Sequence, residues 1–219
     1  MNISESIQAI HSEIPEGVTL VCVSKTRSTQ EIMEAYQSGQ RVFGENKVQE
    51  MVEKHESLPR DISWHMIGHL QRNKAKYIAP FVDLIHSVDS WRLLREIEKQ
   101  AGAQQRKIPC LLQIKIAEEE SKFGIEVGEA KKILDSEEYR QMQHVQITGL
   151  MGMATLTQEE EKIRKEFRFL KTTFDDFRKS NPSLEILSMG MSGDYRLALE
   201  SGSNMIRLGT SIFGERKYK

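Results

Sequence analysis

Cysteine is scarce in this chain. The two that occur, Cys22 and Cys110, lie in apolar runs (LVCV and PCLLQI) with no Cys or His nearby at metal-ligand spacing, which reads them as reduced core residues and sets aside a disulfide framework or a zinc site. Long hydrophobic stretches are missing as well: no run approaches the roughly 18 apolar residues of a membrane span. The N-terminal MNISESIQAIHSEI interleaves polar with apolar residues, unlike a signal peptide. A cytoplasmic protein without membrane association is expected. There is no excess of charge either, since 31 Lys+Arg face 32 Asp+Glu, so no whole-protein field gathers nucleic acid. Nor is there a low-complexity segment or linker, and the 219 residues are read as one domain, 1–219, long enough to bury a continuous core without staples.

What is present is an alternation. Eight short runs rich in Val, Ile and Leu (TLVCVS, RVFG, SWHMIG, LIHSV, PCLLQIKI, VQITGLM, LEILSM and MIRLG) are separated by stretches of helical period, the pattern of βα units and a parallel sheet. Eight units in succession predict a single (β/α)8 barrel. An open doubly wound sheet is the competing architecture, but it usually carries a Gly-rich phosphate loop after its first strand, where this chain has VSKTRS. Ser28 or Thr29, with Glu31, can cap one helix, and Asp89 or Ser90 another. Gly39, Gly102 and Gly202 are expected to stop helices. The segment Glu5 to Ile14 reads as an extra N-terminal helix closing the barrel floor.

Barrel active sites form at the C-terminal ends of the strands, and the chemically interesting residues fall there. In TLVCVSKT the strand period places Thr19, Val21, Val23 and Lys25 on one face. A lysine at the top of an apolar strand, if turned inward, is desolvated and becomes a nucleophilic amine; a solvated lysine opening a loop is the alternative reading. Ser192 and Gly193 after the seventh run, with Gly209 and Thr210 after the eighth, offer small residues whose backbone N–H groups can approach a phosphate, or else simply form tight turns. Arg207 shares a face with Met205, and a guanidinium aimed into a barrel mouth needs an acceptor, whether a ligand or a neighbouring acid. Arg72, Lys74 and Lys76 in LQRNKAKY read as a solvated helix face, with Tyr77 the sole aromatic beside them. The acidic stretches around Glu118 and Glu159 read as solvated helix starts.

Taken in order, VSKT, FGENKVQE, WHMIGHLQRNK, HSVD, GLMGMA, LSMGMSGDYRLALESGS and IRLGTSIFGER resemble the pyridoxal phosphate homeostasis family over about Val18 to Arg216. The resemblance implies a barrel similar to the N-terminal domain of alanine racemase, with pyridoxal 5'-phosphate (PLP) bound as a Schiff base to Lys25. It further implies that Arg207 faces the pyridine nitrogen, that Ser192, Gly209 and Thr210 hold the phosphate, and that Asn46 and His65 line the pocket, with Met189 and Met151 packed near the ring. Two positions depart from the family pattern. Lys47 replaces a tyrosine and Lys115 an asparagine, the latter read as a surface charge.

PLP enzymes also need an acid or base on the opposite face of the ring, which in the racemase comes from a separate β domain. After the eighth run only SIFGERKYK remains, too short to build one. The expectation is therefore a non-catalytic PLP carrier or regulator serving PLP-dependent apo-enzymes. An amino-acid racemase is the alternative, and the absence of a large apolar surface helix favours a monomer.

Overall fold

The structure, a computed structural model, describes residues 2–117 and 124–215. Strands β1 (Thr19–Val23), β2 (Val42–Glu45), β3 (Ser63–Met66), β4 (Leu84–Val88), β5 (Ile108–Gln113), β6 (Val145–Met151), β7 (Ile186–Met191) and β8 (Met205–Leu208) fall on the eight apolar runs. They hydrogen-bond in chain order, all parallel, and β8 pairs back onto β1 to close the barrel. The doubly wound alternative is thereby excluded. Around the barrel run α1 (Ile3–Glu13), α2 (Thr29–Gln37), α3 (Val48–Ser57), α4 (Ala75–Ile78), α5 (Trp91–Ala103), α6 (Val127–Asp135), α7 (Glu137–Arg140), α8 (Glu160–Ser180), α9 (Tyr195–Glu200) and α10 (Thr210–Phe213). Among the described residues no helix is long and apolar enough to cross a membrane.

Local chemistry accounts for most boundaries. Ser28 and Glu31 form a reciprocal capping box on α2, and the Ser90 hydroxyl caps α5, each satisfying amide donors that a helix start leaves unpaired. Gly39 and Gly202 follow their helices in the left-handed region (φ 96° and 92°). Gly102 does not stop its helix: α5 continues to Ala103, and the reversal is made by Gln105 at φ 51°. The glycine is instead where His144 packs closely, its ring 3.0 Å from where a Cβ would stand.

The N-terminal helix is present but does not lie under the floor. It packs along α2 and α10, buries Ile7 and Ile10, and is pinned at Glu13 by the Tyr195 hydroxyl and Arg196. The reason is geometric: α10 is a single turn, and α1 supplies the outer wall that it is too short to provide.

Strand alternation sorts the side chains into two layers. Leu20, Cys22, Phe43, Trp64, Leu112 and Ile206 face outward into the large core beneath the helices. Both cysteines are free and fully buried, as expected. Val21, Leu84, Leu111, Met151 and Met205 point inward and form a small apolar cluster inside the barrel. Two residues further along β4, β7 and β8 the same inward phase reaches His86, Ser188 and Arg207, so the barrel interior turns from apolar to polar toward the strand C-termini.

Candidate functional site

This polar layer is one connected chain. Arg207, only 4% exposed, donates through Nη1 to Ser188 Oγ (2.5 Å) and through Nη2 to the Gly152 carbonyl (3.1 Å). Ser188 Oγ lies 3.0 Å from His86 Nδ1, and His86 Nε2 lies 3.1 Å from His65 Nδ1. Two proton assignments match every contact, with Arg207 donating to Ser188 in both: either Ser188 donates to His86 Nδ1 and His86 Nε2–H donates to His65 Nδ1, or His65 Nδ1–H donates to His86 Nε2 and His86 Nδ1–H donates to Ser188 Oγ. Burial pushes the Arg207 guanidinium down to about 10, countered by the field of Asp194, and leaves it charged at neutral pH. Burial also drives His65 down to about 3, and takes His86 well below its usual value with help from His65 and Arg207. Both rings are neutral in the folded protein.

That neutrality has a consequence for acid stability. His65 titrates near 6.5 when unfolded and at about 3 when folded, so between those values the unfolded chain binds more protons and stability falls as pH falls. At pH 5 this one residue costs about 2 kcal/mol relative to neutral pH, and His86 acts in the same direction. Urea denaturation at pH 7 and pH 5 should show the loss. An unfolding free energy unchanged between the two would contradict two buried neutral histidines.

Above this layer lies the barrel mouth. Lys25 follows β1 in a turn, half-buried, next to Ser24, whose hydroxyl donates to Glu45. Asn46 continues the inward phase of β2 and is half-buried. Its backbone is held under the β3 loop at Gly68, where a Cβ would stand 2.4 Å from the Asn46 carbonyl oxygen, so only glycine fits. Across the mouth, Ser192 Oγ accepts from the Gly209 and Ser211 amides at 3.2 and 3.3 Å. The turns after β7 and β8 thus form one concave seat, with Thr210 exposed at its edge.

Met189 is a correction. Ser188 points into the barrel, so its neighbour must point out, and Met189 is fully buried in the core beneath the helices, away from the mouth. Met151 does face the interior. Lys47 is exposed at the start of α3, and Lys115 is half-buried, its amide bonded to the Ile125 carbonyl. Arg72 and Lys76 are exposed, with the Lys74 and Lys76 ammonium groups 5.5 and 5.0 Å from the centre of the exposed Tyr77 ring. Glu159 precedes α8 in solvent, and Glu118 lies outside the described residues.

The sequence reading missed a charged cluster beside Lys25. Lys54, 5% exposed, donates to the Ser24 carbonyl (2.7 Å), Glu45 Oε1 (2.8 Å) and Glu50 Oε1 (2.7 Å). Glu45 also accepts from the Ser24 hydroxyl (2.6 Å), and Glu50 from the Thr26 amide (2.5 Å). The signal was available: Glu50 and Lys54 are an i,i+4 pair, and Glu45 occupies the outward phase of β2, facing α3. Among the described residues no group of His, Cys, Asp and Glu is arranged to hold a metal.

A closed barrel of eight parallel strands with its polar residues gathered at the strand C-termini has the architecture of a TIM-barrel protein that works at its upper face. Within that class, the family described as alanine racemase, N-terminal domain, matches residues 1–217. A pyridoxal phosphate homeostasis protein of Vibrio alginolyticus is 35% identical over 232 residues, covering 99% of each chain. The structure of PipY from Synechococcus elongatus with PLP bound superposes with a TM-score of 0.89 at 37% identity, over 97% of this chain and all of that one. An alanine racemase of Clostridium difficile shares the fold at 14% identity, with a TM-score of 0.83 over all of this chain and 60% of its own. The chain belongs to the pyridoxal phosphate homeostasis protein family.

Proposed function

We propose that this protein holds PLP in the barrel mouth as a Schiff base on Lys25 and serves intracellular PLP homeostasis as a carrier or regulator rather than as an enzyme. The observation that carries the reading is Arg207. A guanidinium bonded to a hydroxyl and a carbonyl, its burial outweighing the favourable field of Asp194, is costly to maintain, and a ligand acceptor or anion would lower that cost. PLP offers a pyridine nitrogen as acceptor, which Arg207 would keep unprotonated, and a phosphate, which the Ser192, Gly209 and Thr210 seat is suited to hold. Its aldehyde meets the Lys25 amine: nitrogen bonds to the aldehyde carbon, and the oxygen departs as water. Asn46 and His65 line the pocket between these anchors. The single domain, 1–219, is proposed to act as a monomer.

The carrier reading draws on the neutral histidines. With its folded pKa near 3, His65 is not poised to exchange protons at neutral pH, and His86 is bonded on both sides. An unprotonated pyridine is also a weak electron sink. PLP-dependent apo-enzymes are the proposed recipients. Absorbance titration with PLP should give the visible band of a lysine Schiff base, and incubating the loaded protein with L- or D-alanine should leave optical rotation unchanged. Racemisation at enzyme-like rates would overturn the carrier assignment, and the lack of any band would overturn PLP binding through Lys25. Ser192→Ala should retain the band but weaken PLP binding roughly tenfold or more, the worth of one hydrogen bond to a charged group.

A further inference from the structure

We propose that Lys54, Glu45 and Glu50 are positioning residues that fix the backbone on both sides of Lys25, an inference that rests on the reading of Lys25 as the PLP amine. The cluster grips the chain at the two residues flanking that lysine. On one side Ser24 is held twice, its carbonyl by Lys54 and its hydroxyl by Glu45. On the other, the Thr26 amide is held by Glu50.

Thr26 needs that hold. Its φ is 64°, in the left-handed region that threonine rarely enters, so the turn that presents Lys25 is strained and must be enforced by its surroundings. Arg27 extends the restraint: its guanidinium reaches the Gly214 carbonyl and lies 5.5 Å from the centre of the Phe213 ring. The Lys25 turn is thereby tied to α3 on one flank and to the segment following the Gly209–Thr210 seat on the other.

Stability alone is a poor explanation for the cluster. An apolar replacement of a buried ion pair is commonly neutral or stabilising, yet here one ammonium and two carboxylates are gathered where a helix meets a sheet. What they achieve that apolar residues cannot is to bind two specific backbone groups with directional, charge-assisted bonds. Bond formation between two bound groups depends steeply on their placement, and an error of about 1 Å can cost on the order of a hundredfold in rate. A clamp on residues 24 and 26 supplies that placement for the amine at 25.

The test is Glu50→Ala, at the cluster's more exposed end, with Glu50→Gln as the conservative control. Two quantities are compared with wild type: the rate at which the Schiff-base band appears on mixing with PLP, and the affinity for pyridoxine 5'-phosphate, an analogue with an alcohol in place of the aldehyde. The positioning role predicts a band that forms at least tenfold more slowly in Glu50→Ala, analogue affinity within twofold, and substantial recovery of rate in Glu50→Gln, whose amide oxygen can still accept from Thr26. An unchanged rate in Glu50→Ala overturns the role, as does a parallel loss of rate and analogue affinity. A wild-type protein that forms no band with PLP overturns the Lys25 reading itself, and the proposal with it.

Discussion

Lys25→Ala should abolish the Schiff-base band completely while leaving a protein that still folds and still binds the phosphate end of the ligand. Lys25 is half-buried in a turn above the apolar core, so truncating it opens no cavity in the packed layers. The Ser192, Gly209 and Ser211 seat is built from the turns that follow β7 and β8 and the start of α10 and is held without it. Loss of the covalent link should weaken PLP retention on the order of a hundredfold, about 2.7 kcal/mol, and bring PLP affinity close to that for pyridoxine 5'-phosphate. Equilibrium dialysis of both ligands against wild type and variant measures this directly. A variant that keeps the band, or retains PLP as tightly as wild type, would place the reactive amine elsewhere; Lys115, also past a strand end, is the first to examine.

The second large effect is on stability. Glu45→Ala removes a carboxylate that is fully buried and paired with a buried ammonium. Burial holds the Glu45 carboxyl above its usual range, and Lys54 with the Ser24 hydroxyl offsets only part of that, so each member of the pair makes the other more tolerable. Breaking a buried pair by deleting one partner typically costs about 3–5 kcal/mol, because the survivor is left poorly compensated. For a domain of this size that corresponds to a fall in Tm of roughly 6–20 °C. The double variant Glu45→Leu with Lys54→Met should be less destabilised than the sum of its parts, since it removes both charges together. Thermal denaturation followed by circular dichroism gives both numbers. A Glu45→Ala protein melting within 2 °C of wild type would show that the pair is dispensable to the fold.

Much of this architecture was legible in the sequence because period and position carry it. The eight runs became eight strands since each was an apolar stretch between turn residues, and strand parity correctly put Met205 and Arg207 on one face with Ile206 and Leu208 on the other. Parity applied with equal care to β7 would have removed Met189 from the site, because Ser188 and Met189 cannot both face inward. The placement of α1 was not legible: where a helix packs depends on which neighbour is short, and α10 proved to be one turn. The His65–His86–Ser188–Arg207 chain was also hidden. It joins residues up to 142 positions apart that meet only when the barrel closes, although each lies in a quoted motif. The Lys54 cluster fell between the two cases, half of it local on α3 and half dependent on β2 facing that helix.

The most direct test of the central claim is to load the wild-type protein with PLP, reduce it with borohydride and map the labelled peptide. Reduction turns the Schiff base into a stable secondary amine that survives digestion. The account predicts one phosphopyridoxyl group per chain, on Lys25 within the peptide that includes VSKTR. Label on Lys115 or another lysine, or a reduced protein with no label at all, would contradict it.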